Sequence, residues 1–243
     1  MRIFGSLLTL GLLATVAAAG AIQISYALDG RPIVVCGVSP ANTTTSCVDT
    51  SLPLNITGLT STSNSPGLPS GAVLTTKLSV ANLTSVAHVL DLFIAAQDFT
   101  IPVTAPPVNF TSQIGATVIT GSSLNSLSFT SCLDQANELG PPSGTFCGVP
   151  AGSIMLSPSI TTAGPFFNTQ TTISIAALAA PYAVDQRLTL ILGAGASVDL
   201  STTLISAVTP VPEPASGTLL GGIAILLVVG RLIPRSIPRS LRS

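Results

Sequence analysis

The sequence predicts an all-β protein: an antiparallel β-sandwich ectodomain over residues 20–208, preceded by a signal peptide and followed by one C-terminal transmembrane helix. Three observations carry the prediction. Apolar and polar residues alternate with a period of two in segment after segment. The chain's 21 Gly and 19 Pro, among 243 residues, break those segments at short intervals in the way turns require. Uninterrupted apolar character is confined to residues 3–16 and 215–230, so helical spans are expected only at the two ends.

At the N-terminus, Met1-Arg2 supplies a minimal basic start, residues 3–16 an apolar core and Ala17-Ala18-Ala19 a run of small residues. That order predicts a signal peptide over residues 1–19, with Ala17 and Ala19 as the small residues read by the peptidase and cleavage after Ala19. Ala21 is the alternative cleavage position. The first clear strand covers residues 33–38. Leu74, Thr76, Leu78 and Val80 then alternate with Thr75, Lys77 and Ser79. A turn at Asn82-Leu83-Thr84-Ser85 and a return through Leu90, Leu92, Ile94 and Ala96 predict a hairpin. Further strands are expected over 108–119, 124–131, 153–156, 171–178, 187–192 and 197–208. Residues 57–71 read as an exposed loop because Ser, Thr, Asn, Pro and Gly crowd there, and 104–107 as a rigid proline connector. No fixed-period repeat appears, which disfavours a propeller or solenoid.

Composition bounds the function. Between Gly20 and Pro212 there are three basic residues, Arg31, Lys77 and Arg187, against eight acidic ones, a net charge of −5. A charge-poor, mildly acidic ectodomain has no footprint for nucleic acid. Four cysteines in an exported chain suit disulfides. Cys36, Cys47, Cys132 and Cys147 permit three connectivities, and proximity favours Cys36 with Cys47 and Cys132 with Cys147. Neither pair has Cys-x-x-Cys spacing and the chain has one histidine, so no metal and no cofactor is expected.

Catalytic motifs are absent. There is no Gly-x-Ser-x-Gly elbow, no His-Glu-x-x-His and no phosphate loop. His88 could serve as a base with Asp91 or Asp98 as its orienter, but strand parity points Asp91 to the face opposite His88. Any pair among Asp29, Asp49, Asp91, Asp98, Asp134, Glu138, Asp185 and Asp199 could supply a glycosidase acid pair. With no Trp, two Tyr and eight Phe, however, sugar-stacking surfaces are scarce. Asp134 and Glu138, inside the Cys132 to Cys147 loop, are calcium candidates lacking a consensus loop. Four Asn-x-Thr triplets begin at Asn42, Asn55, Asn82 and Asn109, and read first as loop polarity.

The C-terminus is the most specific part of the chain. Residues 209–212 form a linker, and Val211-Pro212-Glu213-Pro214-Ala215 is held extended by its prolines. An apolar segment over 215–233 follows, with Arg231, Arg235, Arg239 and Arg242 concentrated behind it. By the positive-inside rule the basic tail, 234–243, stays cytoplasmic and the ectodomain lies outside. This combination resembles the PEP-CTERM sorting signal. The resemblance covers residues 211 to about 235 and implies an exosortase substrate: export by the secretion translocon, transient anchoring in membrane lipid, and cutting near the motif by a membrane-embedded protease. Delivery to the cell surface or extracellular matrix, beside polysaccharide, would follow. An ordinary C-terminal anchor is the alternative. The function expected is structural or interaction-type and not enzymatic, with a surface carbohydrate-binding module or an unrecognised surface hydrolase as alternatives.

Overall fold

A computed structural model describes residues 20–40, 42–50, 53–104, 107–120, 124–147, 153–159 and 166–212. Among the described residues there are twelve strands: β1 Ala21–Leu28, β2 Val34–Pro40, β3 Thr44–Asp49, β4 Leu54–Ser63, β5 Ala72–Asn82, β6 His88–Phe99, β7 Val108–Thr120, β8 Leu124–Asp134, β9 Ile154–Leu156, β10 Phe166–Ile175, β11 Tyr182–Leu192 and β12 Ser197–Pro210. They form two six-stranded antiparallel sheets, β2-β1-β6-β11-β8-β9 and β10-β7-β12-β5-β4-β3. Among the described residues the predicted all-β character and antiparallel pairing are therefore observed. No helix among the described residues is long and apolar enough to cross a membrane. Residues 1–19 and 213–243, including Ala17, Ala19, Glu213, Pro214, Ala215, Arg231, Arg235, Arg239 and Arg242, lie outside the described residues.

Alternation decides which face of each strand is buried. Ile22, Ile24, Tyr26 and Leu28 of β1 share the core with Leu90, Leu92, Ile94 and Ala96 of β6 and with Leu74, Leu78 and Val80 of β5 on the opposite sheet. Polar bridges join the sheets inside this apolar layer. The Thr76 hydroxyl donates to Gln186 Oε1 at 2.8 Å, Gln186 Nε2 donates to the Leu74 carbonyl at 2.9 Å, and Ser112 meets Ser131 at 2.8 Å. Buried polar side chains persist when such partners replace lost water.

The expected hairpin is corrected. β5 pairs with β4 and β12, while β6 pairs with β1 and β11, so the turn after Asn82 carries the chain from one sheet to the other. Asn82 makes that corner. Its amide donates to the carbonyls of Val86, Leu192 and Gly193 at 2.7, 3.0 and 2.8 Å. Being 1% exposed, it is inaccessible to glycosylation in the folded chain.

The loop expected over 57–71 is also corrected. β4 runs to Ser63, with Leu59, Ser61 and Ser63 buried. Serine fits the core there because the Ser61 hydroxyl meets Thr76 Oγ1 at 3.0 Å. Two early strands, β1 and β3, are not among those the sequence predicts. For β1 the signal was present, as the alternation of Ile22, Ile24, Tyr26 and Leu28 directly behind the expected signal-peptide boundary.

Both disulfides join the local pairs, Cys36–Cys47 and Cys132–Cys147. They do different work. Cys36 and Cys47 lie on the outermost strands of opposite sheets, β2 and β3, and their bond closes one side of the sandwich. Gly37 permits the approach, since a side chain there would stand 2.7 Å from the Ser46 carbonyl oxygen. Cys132–Cys147 instead ties residues 135–147 down as a strap across the outer face of the first sheet. Gln23 Nε2 donates to the Gly140 carbonyl at 2.9 Å, the Ser143 hydroxyl donates to Gln23 Oε1 at 2.9 Å, and the Ser25 hydroxyl donates to the Pro141 carbonyl. Residues of β1 and β6 that would face solvent, among them Ser25 and Ala95, are buried beneath it.

Candidate functional site on the outer face of the first sheet

Beside the strap, three adjacent strands bring charged, aromatic and hydroxyl side chains to one face. Arg187 of β11 stands opposite Phe93 of β6 and Thr130 of β8; Thr189 stands opposite Asp91 and Ser128. Directly opposed residues project to the same side of a sheet, so these six share the outer surface. The Arg187 guanidinium lies over the Phe93 ring, 5.3 Å from its centroid. Its Nη2 donates to Asp91 Oδ1 at 3.1 Å, and the same oxygen accepts the Thr189 hydroxyl at 2.6 Å. Phe146 of the strap packs against Phe93 with centroids 6.3 Å apart.

This arrangement fixes a long side chain that would otherwise roam. The ring supports one plane of the guanidinium and the carboxylate holds one edge. Phe93 is only 7% exposed, whereas the Arg187 side chain is 46% exposed and Asp91 20%. What a ligand meets is therefore the guanidinium and its carboxylate, not an aromatic platform. Ser126 and Ser128 extend the polar surface along β8, both exposed. From strand spacing and rise, the patch spans about 10 Å across the strands and about 14 Å along them.

The other residues singled out from sequence are placed differently. His88 starts β6, and its orienting carboxylate is Asp29, not Asp91 or Asp98: His88 Nδ1 lies 2.7 Å from Asp29 Oδ2. Its Nε2 lies 3.0 Å from Thr84 Oγ1, whose proton is also within reach of Asn82 Oδ1 at 2.8 Å. Burial pushes the Asp29 carboxyl up, but the Val89 N–H, the His88 contact and nearby Arg31 together hold it below its usual range. These bonds join the turn after β1 to the corner after β5, and no sequence spacing signals a partner so distant in the chain.

Asp134 and Glu138 do meet in the strap. Asp134 accepts the Ala136 N–H at 2.8 Å, the Glu138 N–H at 3.3 Å and the Ser153 hydroxyl at 3.3 Å. Asp185 joins them from β11, fully buried, with the Cys147 N–H at 3.4 Å from Oδ2 and no partner on Oδ1. Burial drives its carboxyl well above the ordinary range, and the charges of Asp134 and Glu138 push it the same way. Among the described residues no set of three His, Cys, Asp or Glu is placed to hold a metal ion. On the second sheet, Gly58, Thr60, Lys77, Ser79 and Asp199 line an open hollow of about 320 Å³, and the Ser79 hydroxyl donates to Asp199 Oδ1 at 3.1 Å. Val211 and Pro212 close the described chain, with the Val211 N–H bonded to the Pro107 carbonyl at 2.8 Å.

No protein-family model and no curated protein matches this chain. Among solved structures, it is similar at a TM-score of 0.29 to a carbohydrate-binding module, TmCBM61, determined in complex with β-1,4-galactotriose. That similarity has 7% sequence identity and covers 64% of this chain and 87% of the other.

Proposed function

We propose that this is an exported protein of the cell surface or extracellular matrix that acts by contact and not by catalysis, delivered through its C-terminal PEP-CTERM signal. The observation that carries the contact reading is how the acidic side chains are used. Asp29 binds His88, Asp49 accepts the Tyr26 hydroxyl, Asp91 binds Arg187, Asp98 binds Asn137, Asp199 accepts Ser79, and Asp185 is sealed in the fold. A hydrolase needs an acid and a second carboxylate facing one substrate cleft, and each of these carboxyls is instead engaged by a protein partner through at least one oxygen or sealed in the fold.

Three further features support the export half. Both disulfides suit an oxidising compartment. Cleavage after Ala19 leaves β1 whole, whereas cleavage after Ala21 would remove Ala21, which pairs with Pro40 and opens the strand. Val211 and Pro212 are half-buried and exposed at the end of the described fold, which suits a processing strip just beyond it. Exosortase, the translocon and membrane lipid are the delivery partners of this reading, and extracellular polysaccharide is the partner at the destination.

Fractionation with mass analysis of both termini tests the delivery. The surface form is expected to start at Gly20 and to end before residue 215. A surface form that keeps residues 215–243 would overturn processing, and confinement of the protein to the cytoplasm would overturn export.

A further inference from the structure

We propose that the Arg187–Asp91 pair on the outer face of the first sheet is a binding site for neutral polysaccharide, recognising adjacent hydroxyl groups of a sugar. The inference rests on the contact function proposed above and gives that function a place and a ligand class.

Asp91 Oδ1 is occupied by Arg187 and Thr189, while Oδ2 accepts no hydrogen bond among the described residues. Arg187 carries five N–H donors in a rigid fork, and the Nη2 contact to Asp91 uses only part of them. An outward acceptor thus stands beside outward donors, both held in place before a ligand arrives. Two hydroxyls on neighbouring carbons present the complement: one donates its proton to the carboxylate, and the oxygen of the other accepts from the guanidinium. A ligand that meets oriented partners loses less freedom on binding.

Charge decides between neutral and acidic polymers. Arg187 is already compensated by Asp91, and residues 20–212 carry a net charge of −5. An acidic chain would approach a repelling domain and compete with Asp91 for the guanidinium; a neutral chain does neither. Geometry decides against a peptide. β6 and β11 are interior strands paired on both sides, so no backbone edge is open for strand addition. The surrounding Ser126, Ser128 and Thr130 add hydroxyls to the patch, whereas the aromatic ring is already covered.

Affinity electrophoresis of the full-length protein in mild detergent provides the test, with galactan, dextran and mannan as neutral polymers and alginate as an acidic one. At least one neutral polymer is expected to retard the protein, equally at low and high salt, because surface ion pairing is screened while hydroxyl recognition is not. Arg187→Ala and Arg187→Lys should each weaken retardation tenfold or more, since lysine lacks the planar fork. Asp91→Asn should weaken it too, and Lys77→Ala, on the opposite sheet, should not. Equal thermal midpoints for the variants exclude unfolding as the cause.

Retardation by no neutral polymer, retardation by alginate alone, or binding that survives Arg187→Ala would each overturn this site. Shortening of the polymer would instead overturn the contact function itself, so the two failures are distinguishable.

Discussion

Asp185 shows how much one residue's environment departs from its place in the sequence. In the chain it is one acid among eight between residues 20 and 212; in the fold it is 0% exposed, one oxygen unpartnered, with Asp134 and Glu138 nearby. Burial foremost keeps its proton on above the ordinary value of 3.8. The unfolded chain releases that proton near 3.8, so above this pH the folded state holds more protons and stability falls as pH rises. The fall continues until the folded carboxyl ionises. Asp185→Asn mimics the neutral acid and should remove this component, so that the variant gains on the parent as pH rises from 4 to 8. Urea midpoints across that range check it; parallel curves for the two proteins would show that Asp185 ionises normally in the fold.

Elements depend on ties that join distant parts of the chain. β2 and β3 are outermost strands on opposite sheets, and such edges expose unpaired backbone groups and fray easily. Here Val34, Val35, Val38 and Val48 are also exposed, which makes fraying a route to aggregation. The Cys36–Cys47 bond holds the two edges together across a separation of 11 residues. Replacing both cysteines by alanine should cost about 3 kcal/mol of stability, as closure of a short loop suggests. Thermal and denaturant unfolding measure the loss, and a double variant as stable as the parent would mean that packing alone closes that side. The Cys132–Cys147 strap was only half legible in the sequence. Spacing favoured the pair, but nothing in residues 135–147 says that they lie over β1 and β6, because the partners of Gly140 and Ser143 are near residue 23.

At the scale of the whole molecule, the two sheets exchange the chain seven times, and most neighbouring strands are far apart in sequence. Such topologies close large loops before contacts repay them, so folding is expected to be slow relative to helical domains. The tyrosines report on this architecture as a unit, since the chain has two and both are held by the sandwich. Burial first, and then the Asp49 hydrogen bond and charge, push the Tyr26 hydroxyl up to about 12. Burial alone pushes Tyr182, stacked on Phe99, higher still. Because the unfolded chain ionises near 10.0, the folded state holds extra protons above that pH, and stability falls with further alkali. Ultraviolet difference titration should therefore show no phenolate at pH 10 in the native protein. Both tyrosines are expected to ionise together with loss of the fold, and a normal titration near 10 would contradict the packing of β1 and β11.

The sequence by itself determined the all-β character of the described residues, because a two-residue period is a local property that any strand with one buried face must carry. The charge balance and the favoured cysteine pairs were likewise legible, each from residues close together in the chain. Only the tertiary structure decided that β5 and β6 lie in different sheets, that Asp29 and not Asp91 or Asp98 faces His88, and that Arg187 rests on Phe93 beside Asp91. The physical reason is range. Alternation says which side chains turn inward, but a corner and a hairpin have the same alternation, and contacts between residues about a hundred positions apart depend on how the sheets are threaded.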